Sequence, residues 1–157
     1  MKAFIASLVF LVAIGVQAAA QQGAPGGRTG APPAAPGASP LDFEYFKEKV
    51  QPIFLKKMPG HARCVVCHAT GTPRLQALAE GATTWTEEQS RQNFNAWQRV
   101  VVPGNPMGSR LLLHPLSKDA GGDHFHGGGK HWESQNNPDF QVIAAWIKGA
   151  TLSGSSR

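Results

Sequence analysis

The sequence predicts an all-α domain made of short helices joined by long loops. After residue 42, apolar side chains recur at helical spacing, with Phe43, Phe46, Val50, Ile53 and Phe54 on one face. No run alternates between apolar and polar residues as a half-buried strand does. Gly- and Pro-rich segments separate the helical stretches. Together these observations favour helices packed on helices over any sheet fold.

Helix start and stop signals divide the domain into four helical stretches. The predicted N-caps are Ser39, Thr86, Ser109 and Asn137. Pro52 is expected to end or kink the first helix, because proline has no N–H to donate and clashes with the preceding turn. The second helix should run to Pro103, and the last should stop at Gly149.

The N-terminal 40 residues are predicted to lie outside the folded domain. Residues 1–20 read as a secretory signal peptide, with Lys2 before an apolar run and Ala18-Ala19-Ala20 before the cleavage site. Residues 21–40 are almost entirely Gly, Ala and Pro, which predicts a disordered linker. We therefore expect a periplasmic or otherwise exported protein, folded over residues 41–157, with no transmembrane span after signal cleavage.

The distribution of the basic residues along the chain argues against nucleic acid as a partner. The net charge is +5, and the basic residues are scattered rather than clustered. Lys56, Lys57, Arg63 and Lys130 could steer an acidic redox partner protein toward the domain. The alternative is that they are ordinary solvated surface charges.

The two cysteines of the chain, Cys64 and Cys67, stand three apart, and His68 follows at once. A redox disulfide would use Cys-x-x-Cys beside strands, which the sequence does not predict. A structural zinc site would need four ligands, for which His126 and His131 offer a His-x4-His pair. The third interpretation is covalent haem c, the usual meaning of Cys-x-x-Cys-His.

The spacing of Cys64, Cys67 and His68 suits the covalent attachment of one haem. Two thiols one helical turn apart lie on the same side of a helix, where both can form thioethers with one haem. His68 would then offer an imidazole nitrogen as the proximal ligand of the iron. Long loops between short helices bury little surface, and a large apolar ligand would supply the missing core.

The chain resembles the monohaem class I cytochromes c, and among them the planctomycete-type cytochrome c domain. The segments that carry the resemblance are 50–54 (VQPIF), 64–68 (CVVCH), 103–106 (PGNP) with 109–112 (SRLL), and 143–150 (IAAWIKGA). The resemblance implies a small helical domain wrapped around one covalent haem, with the first and last helices crossing beside it, and it implies electron transfer. It also implies that a proline carbonyl, here that of Pro73, accepts a hydrogen bond from His68.

The resemblance leaves the distal iron ligand open. Related domains place a methionine on the loop before the last helix, but residues 121–132 contain none. Aligning the Gly-Gly-Asp start of the loop puts that methionine at Phe125, so the nearest imidazoles are His126 and His124. We expect His126 to be the distal ligand, since three glycines follow it and would let the backbone approach the haem. The alternatives are His124, His131 and Met107.

We expect an electron-transfer protein rather than an enzyme. Two imidazole ligands would give a low-spin, six-coordinate iron with a lower reduction potential than a methionine ligand gives. One alternative is a haem enzyme or gas sensor with an open distal side. A less favoured alternative is a zinc-binding module that uses Cys64, Cys67, His68 and the loop histidines.

Overall fold

A computed structural model describes residues 40–152. Within those residues the chain forms helices and no sheet, and the one strand-like pairing is an isolated bridge between Leu116 and Trp132. The predicted all-α class is confirmed. Residues 1–20, predicted as a signal peptide, and residues 21–39 of the predicted linker lie outside the described residues. None of the helices within 40–152 has the length and apolar character needed to cross a bilayer.

The helices fall into an N-terminal, a central and a C-terminal group. The first group comprises α1 (Phe43–Tyr45), a π-helical turn (Phe46–Val50), α2 (Gln51–Leu55) and α3 (Cys64–His68). The second comprises α4 (Glu87–Trp97) and the 3₁₀ turn Gln98–Val100 that continues it. The third comprises α5 (Arg110–Leu113) between the 3₁₀ turns Pro106–Gly108 and Lys118–Ala120, followed by α6 (Pro138–Ile147).

The first helix begins at Asp42 rather than at the predicted cap Ser39. The Asp42 carboxylate accepts a hydrogen bond from the Tyr45 backbone N–H at 2.6 Å. Pro52 does not end the helix, which continues to Leu55. The turn before Pro52 widens into a π-helix, in which the Gln51 N–H bonds the Phe46 carbonyl. This widening accommodates a residue that has no N–H of its own to donate.

The predicted capping box of α4 is confirmed. The Thr86 hydroxyl accepts from the Gln89 N–H at 3.2 Å, and the Gln89 side chain accepts from the Thr86 N–H at 3.1 Å. The helix is shorter than predicted, because the chain becomes extended at Val101, which is fully buried. Burial of Val101 outside the helix places the following turn against the core.

The turn between α4 and α5 is tied to the last helix. The Gly104 N–H donates to the Ile147 carbonyl at 2.7 Å. Ser109 precedes α5, as predicted, but its hydroxyl does not cap the helix. It accepts from the Val102 N–H at 2.9 Å and donates to the Asn105 carbonyl at 2.8 Å instead. The hydroxyl therefore closes the turn.

The first and last helices pack together and form the centre of the core. The ring centroids of Phe46 and Trp146 lie 5.2 Å apart, and the Trp146 indole donates to the Asp42 carbonyl at 2.8 Å. Asn137 caps α6, as predicted, and Gly149 follows its end with a positive φ of 97°. The predicted inward residues of α6 are buried, namely Phe140, Ile143, Ala144 and Ile147.

Candidate cofactor site

Helix α3 and the segment 126–132 both contribute to one pocket, with a cavity volume of about 160 Å³. Most of the lining is apolar. The lining residues that bear on function are Met58, Arg63, Cys64, Cys67, His68, Trp97, Arg110, His114, His126, His131 and Trp132. The fold thus brings the Cys-x-x-Cys-His segment and two of the predicted distal histidines to the same cavity.

His68 is held in one orientation by the loop that follows α3. The Gly71 N–H bonds the Cys67 carbonyl at 3.0 Å, and the Leu75 N–H bonds the His68 carbonyl at 2.8 Å. A Cβ at Gly71 would lie 2.9 Å from the Cys67 carbonyl oxygen, so this tight turn requires glycine. The turn brings the Pro73 carbonyl oxygen to 2.7 Å from His68 Nδ1. The contact expected between these two residues is confirmed.

This contact also fixes the tautomer of His68. A carbonyl oxygen only accepts, so Nδ1 carries the proton and Nε2 keeps its lone pair for a ligand. Trp97 supports the arrangement from the side, with its ring centroid 4.9 Å from that of His68. The Trp97 indole donates to the Arg74 carbonyl at 3.1 Å, which holds the loop after Pro73 in place. Groups of the protein itself therefore hold the imidazole in one orientation.

The two cysteines differ in exposure, and neither is in a disulfide. Cys67 is exposed, whereas Cys64 is half-buried against the core. Burial, with a smaller contribution from Cys67, raises the pKa of the Cys64 thiol to about 11. The Cys64 thiol therefore keeps its proton near pH 7.

His126 lies in the pocket with its Nδ1 atom 2.5 Å from the Gly129 carbonyl oxygen. This contact repeats the arrangement of His68, because it places the proton on Nδ1 and leaves Nε2 free. Burial lowers the pKa of His126, which favours the neutral imidazole. A Cβ at Gly128 would lie 3.3 Å from the His126 ring and 3.7 Å from His131 Nε2. Glycine at position 128 therefore lets the backbone pass close to both rings.

His131 and Trp132 carry buried polar atoms without partners. Neither His131 Nδ1 nor Trp132 Nε1 has a hydrogen-bond partner within the described residues, and both side chains line the pocket. Burial, assisted by the neighbouring His61 and His126, lowers the pKa of His131 to about 4. Buried polar atoms in native proteins are nearly always hydrogen-bonded, so these two unpartnered atoms are exceptions within the described residues.

Two of the predicted alternatives lie away from the pocket. His124 is exposed, and its side chain is not part of the lining. Met107 is 38% exposed, and its methyl group lies 3.5 Å from the position that a Cβ at Gly121 would take. The structure therefore brings His126 and His131, but not His124 or Met107, to the pocket of His68.

His114 also lines the pocket, although its place in the sequence does not predict this. Its Nδ1 atom lies 2.5 Å from the Asp123 carboxylate, and its ring centroid lies 5.1 Å from that of His126. Burial opposes ionisation of Asp123, but hydrogen bonds from His114 and Lys130 lower its pKa overall. Asp123 is nine residues from His114 across a proline, and no spacing rule connects the two.

Two of the lysines expected to steer a partner are engaged within the domain. Lys130 Nζ donates to the Asp123 carbonyl at 2.5 Å and to the His114 carbonyl at 2.9 Å. Lys56 forms an ion pair with Asp139 at 2.7 Å. These contacts reduce what either lysine can offer to a partner.

The zinc alternative finds no assembled ligand set. Across residues 40–152, no three His, Cys, Asp or Glu side chains come together in a group that could hold a metal ion. The Cys-x-x-Cys-His segment and His126 and His131 share a pocket, but they do not converge on one point within it. These side chains lie on different walls of the pocket, so a single small ion would not reach all of them.

Comparison of the chain with protein-family models, with curated proteins and with solved structures gives no match.

Proposed function

We propose that this chain is an exported c-type cytochrome that carries one covalent haem and transfers electrons between partner proteins. Cys64 and Cys67 would hold the haem through thioether bonds, and His68 would bind its iron. The observation that carries the proposal is the 2.7 Å contact between His68 Nδ1 and the Pro73 carbonyl oxygen. It leaves Nε2 as a free ligand atom in a pocket that both cysteines also line.

The polar atoms of the pocket suit haem as well. Haem is a large apolar ring that carries two carboxylates, so it needs apolar walls with a few hydrogen-bond donors. Trp132 Nε1 and His131 Nδ1 are unpartnered in residues that line the pocket, and Arg63 and Arg110 line the same pocket. These side chains would supply hydrogen bonds and positive charge to carboxylates.

We favour His126 as the distal ligand because the nitrogen that would not bind the iron already has a hydrogen-bond acceptor. A histidine that binds a metal almost always donates its other N–H to an acceptor. His126 meets this condition through the Gly129 carbonyl, whereas His131 Nδ1 has no acceptor within the described residues. His114 meets it through Asp123 and is an additional candidate. We retain His126 because it lies on the loop before α6, where the resemblance puts the distal ligand.

The bound haem would supply one-electron redox chemistry at its iron. The residues of the chain would orient the ligands and exclude water. Pro73 fixes the His68 ring, Gly129 fixes the His126 ring, and the buried side chains of Trp97 and Trp132 close the walls. Two imidazoles would leave no open iron site for oxygen or peroxide, which supports an electron carrier over a haem enzyme.

The proposal is tested by haem staining of the protein after denaturing electrophoresis. The chain should be produced with its own N-terminus in a host that attaches haem to exported cytochromes. We expect the stain to stay with the wild-type polypeptide and to be absent from the Cys64→Ser/Cys67→Ser double variant. A wild-type band that does not stain would contradict the proposal.

A further inference from the structure

A second, shallow groove adjoins the pocket on the side of His68. The two share Thr72, Pro73 and Val100 in their linings. The polar residues of the groove are Thr72, Arg74, Gln92, Asn95 and Arg99. We refer to it as the arginine groove. The loop after α3 forms one of its sides, and α4 with its 3₁₀ extension forms the other.

The arginine groove carries positive charge that the domain does not neutralise. Arg74 and Arg99 are exposed, and neither forms an ion pair with any residue in the described part of the chain. No Asp or Glu lines the groove, although Glu88 accepts a hydrogen bond from Gln92 at 3.0 Å. Two guanidinium groups with fixed donor geometry are thus available to carboxylates from outside.

The groove is also close to the proposed proximal ligand. Pro73 lines it, and the carbonyl of Pro73 accepts the hydrogen bond from His68. Arg74 lines it too, and the carbonyl of Arg74 accepts the hydrogen bond from Trp97, whose ring packs against His68. The groove is therefore connected to the His68 imidazole directly by the hydrogen bond from His68 to Pro73, and indirectly through Trp97, which is hydrogen-bonded to Arg74 and packs against the His68 ring.

We infer that the arginine groove is the docking surface for an electron-transfer partner protein that presents carboxylates to Arg74 and Arg99. This inference rests on the proposed function, because the electron would pass between the partner and the haem beside His68. The partner should be acidic, because its carboxylates would pair with the two arginines. It should dock on the His68 side of the haem, because the groove lies there. One electron moves from the reduced partner to ferric iron, and no bond is made or broken.

The test uses the haem-containing full chain and a reduced, strongly acidic flavodoxin as the probe. The measurement is the second-order rate constant for reduction of the haem at low ionic strength. We expect the Arg74→Gln/Arg99→Gln variant to react roughly tenfold more slowly than wild type, since electrostatic steering is lost. The difference should shrink as salt is added, because exposed charges are screened.

The matched control is Lys118→Gln/Lys148→Gln, which removes the same charge from two exposed lysines that line neither cavity. We expect this control to stay within about twofold of wild type. Equal slowing of both double variants would overturn the inference. So would a tenfold loss in Arg63→Gln/Arg110→Gln instead, because that result would move docking to the mouth of the haem pocket.

A binding measurement separates this inference from the proposed function. Oxidised flavodoxin titrated into the isotope-labelled protein should shift the amide resonances of Arg74, Asn95 and Arg99. Shifts confined to other surfaces would overturn the docking site, as would binding of a DNA duplex to the groove with no binding of flavodoxin. Haem content is determined on the same sample, so loss of the proposed function is recognised independently of where flavodoxin binds.

Discussion

The Nδ1 atom of His126 lies 2.5 Å from the carbonyl oxygen of Gly129. The contact fixes the imidazole ring in the same way that the Pro73 carbonyl fixes His68. In both residues the proton is on Nδ1, and the Nε2 lone pair is left available in a shared pocket. Two histidines prepared in the same way are what a six-coordinate, bis-imidazole iron would require.

Replacing His126 by alanine should open the distal side of the haem. We expect most of the low-spin ferric signal of the wild type to become high-spin, because the iron loses one strong ligand. The replacement should also allow carbon monoxide to bind the ferrous protein. Electron paramagnetic resonance and absorption spectra measure both changes.

Three single variants act as controls for this prediction. His124→Ala, at an exposed position outside the pocket, and His131→Ala should both remain low-spin. A high-spin His114→Ala variant beside a low-spin His126→Ala variant would assign the ligand to His114. Should the wild type itself be high-spin, the proposal of a distal imidazole would be wrong.

The unpartnered indole N–H of Trp132 should affect the reduction potential of the proposed haem, and it can be removed while an aromatic ring is kept in the core. Trp132→Phe keeps an aromatic ring and removes the donor. If this N–H neutralises part of the charge of a haem carboxylate, its loss should stabilise ferric iron and lower the reduction potential. Spectroelectrochemical titration measures the shift.

The matched control for that measurement is Trp85→Phe. Trp85 is equally buried, but its indole donates to the Gln76 carbonyl at 2.7 Å, and it does not line the pocket. This variant should lose stability and keep the wild-type potential. Equal potentials for Trp132→Phe and wild type would show that the Trp132 N–H does not reach the haem.

The half-buried imidazole of His131 predicts acid sensitivity. Its pKa of about 4 in the folded protein is below the ordinary value of 6.5, so the unfolded chain binds more protons between these two values. Stability should therefore be lost as pH falls from 6.5 toward 4. The contribution is roughly 1–2 kcal/mol after allowance for partial solvation of the ring.

Urea denaturation at pH 7 and pH 4.5 measures this sensitivity. His131→Gln should lose less stability than wild type over that interval, because it lacks the titrating group. His124→Gln, at an exposed position, should follow the wild type. If His131→Gln and wild type lose the same stability, the buried imidazole does not contribute to acid sensitivity.

A buried polar network holds the loop after α3 against α4. The Asn93 side chain is fully buried, accepts from the Gln76 N–H at 2.7 Å and donates to Gln51 Oε1 at 3.2 Å. Asn93→Ala should cost about 2–3 kcal/mol of unfolding free energy, because it leaves the buried Gln51 Oε1 and the half-buried Gln76 N–H without their partner. Chemical denaturation measures this cost. The exposed Asn95→Ala should change stability by less than about 0.5 kcal/mol, and similar costs for the two would contradict the role of the network.

Much of the fold follows from local signals in the sequence. The Thr86 capping box and the apolar face of α6 were predictable because residues within one turn determine them. The predicted start of the first helix was wrong, because Asp42 rather than Ser39 supplies the cap. The π-helical turn before Pro52 was not foreseen, because a proline inside a helical pattern more often ends or kinks the helix.

The candidate site was only partly predictable for a similar reason. Cys64, Cys67 and His68 carry a local spacing, and the resemblance to cytochromes c implied Pro73 as the partner of His68. His114 was missed because its role arises from a contact with Asp123 across a loop. The arginine groove was missed because Arg74 and Arg99 come together only when the loop after α3 packs on α4.

Mass spectrometry of the mature protein tests the central claim most directly. After production in a host that attaches haem, the intact chain should carry the added mass of one haem. Peptide mapping should locate that mass on the segment that contains Cys64 and Cys67. An intact mass equal to that of the polypeptide alone, from a host that loads a known c-type cytochrome in parallel, would contradict the account.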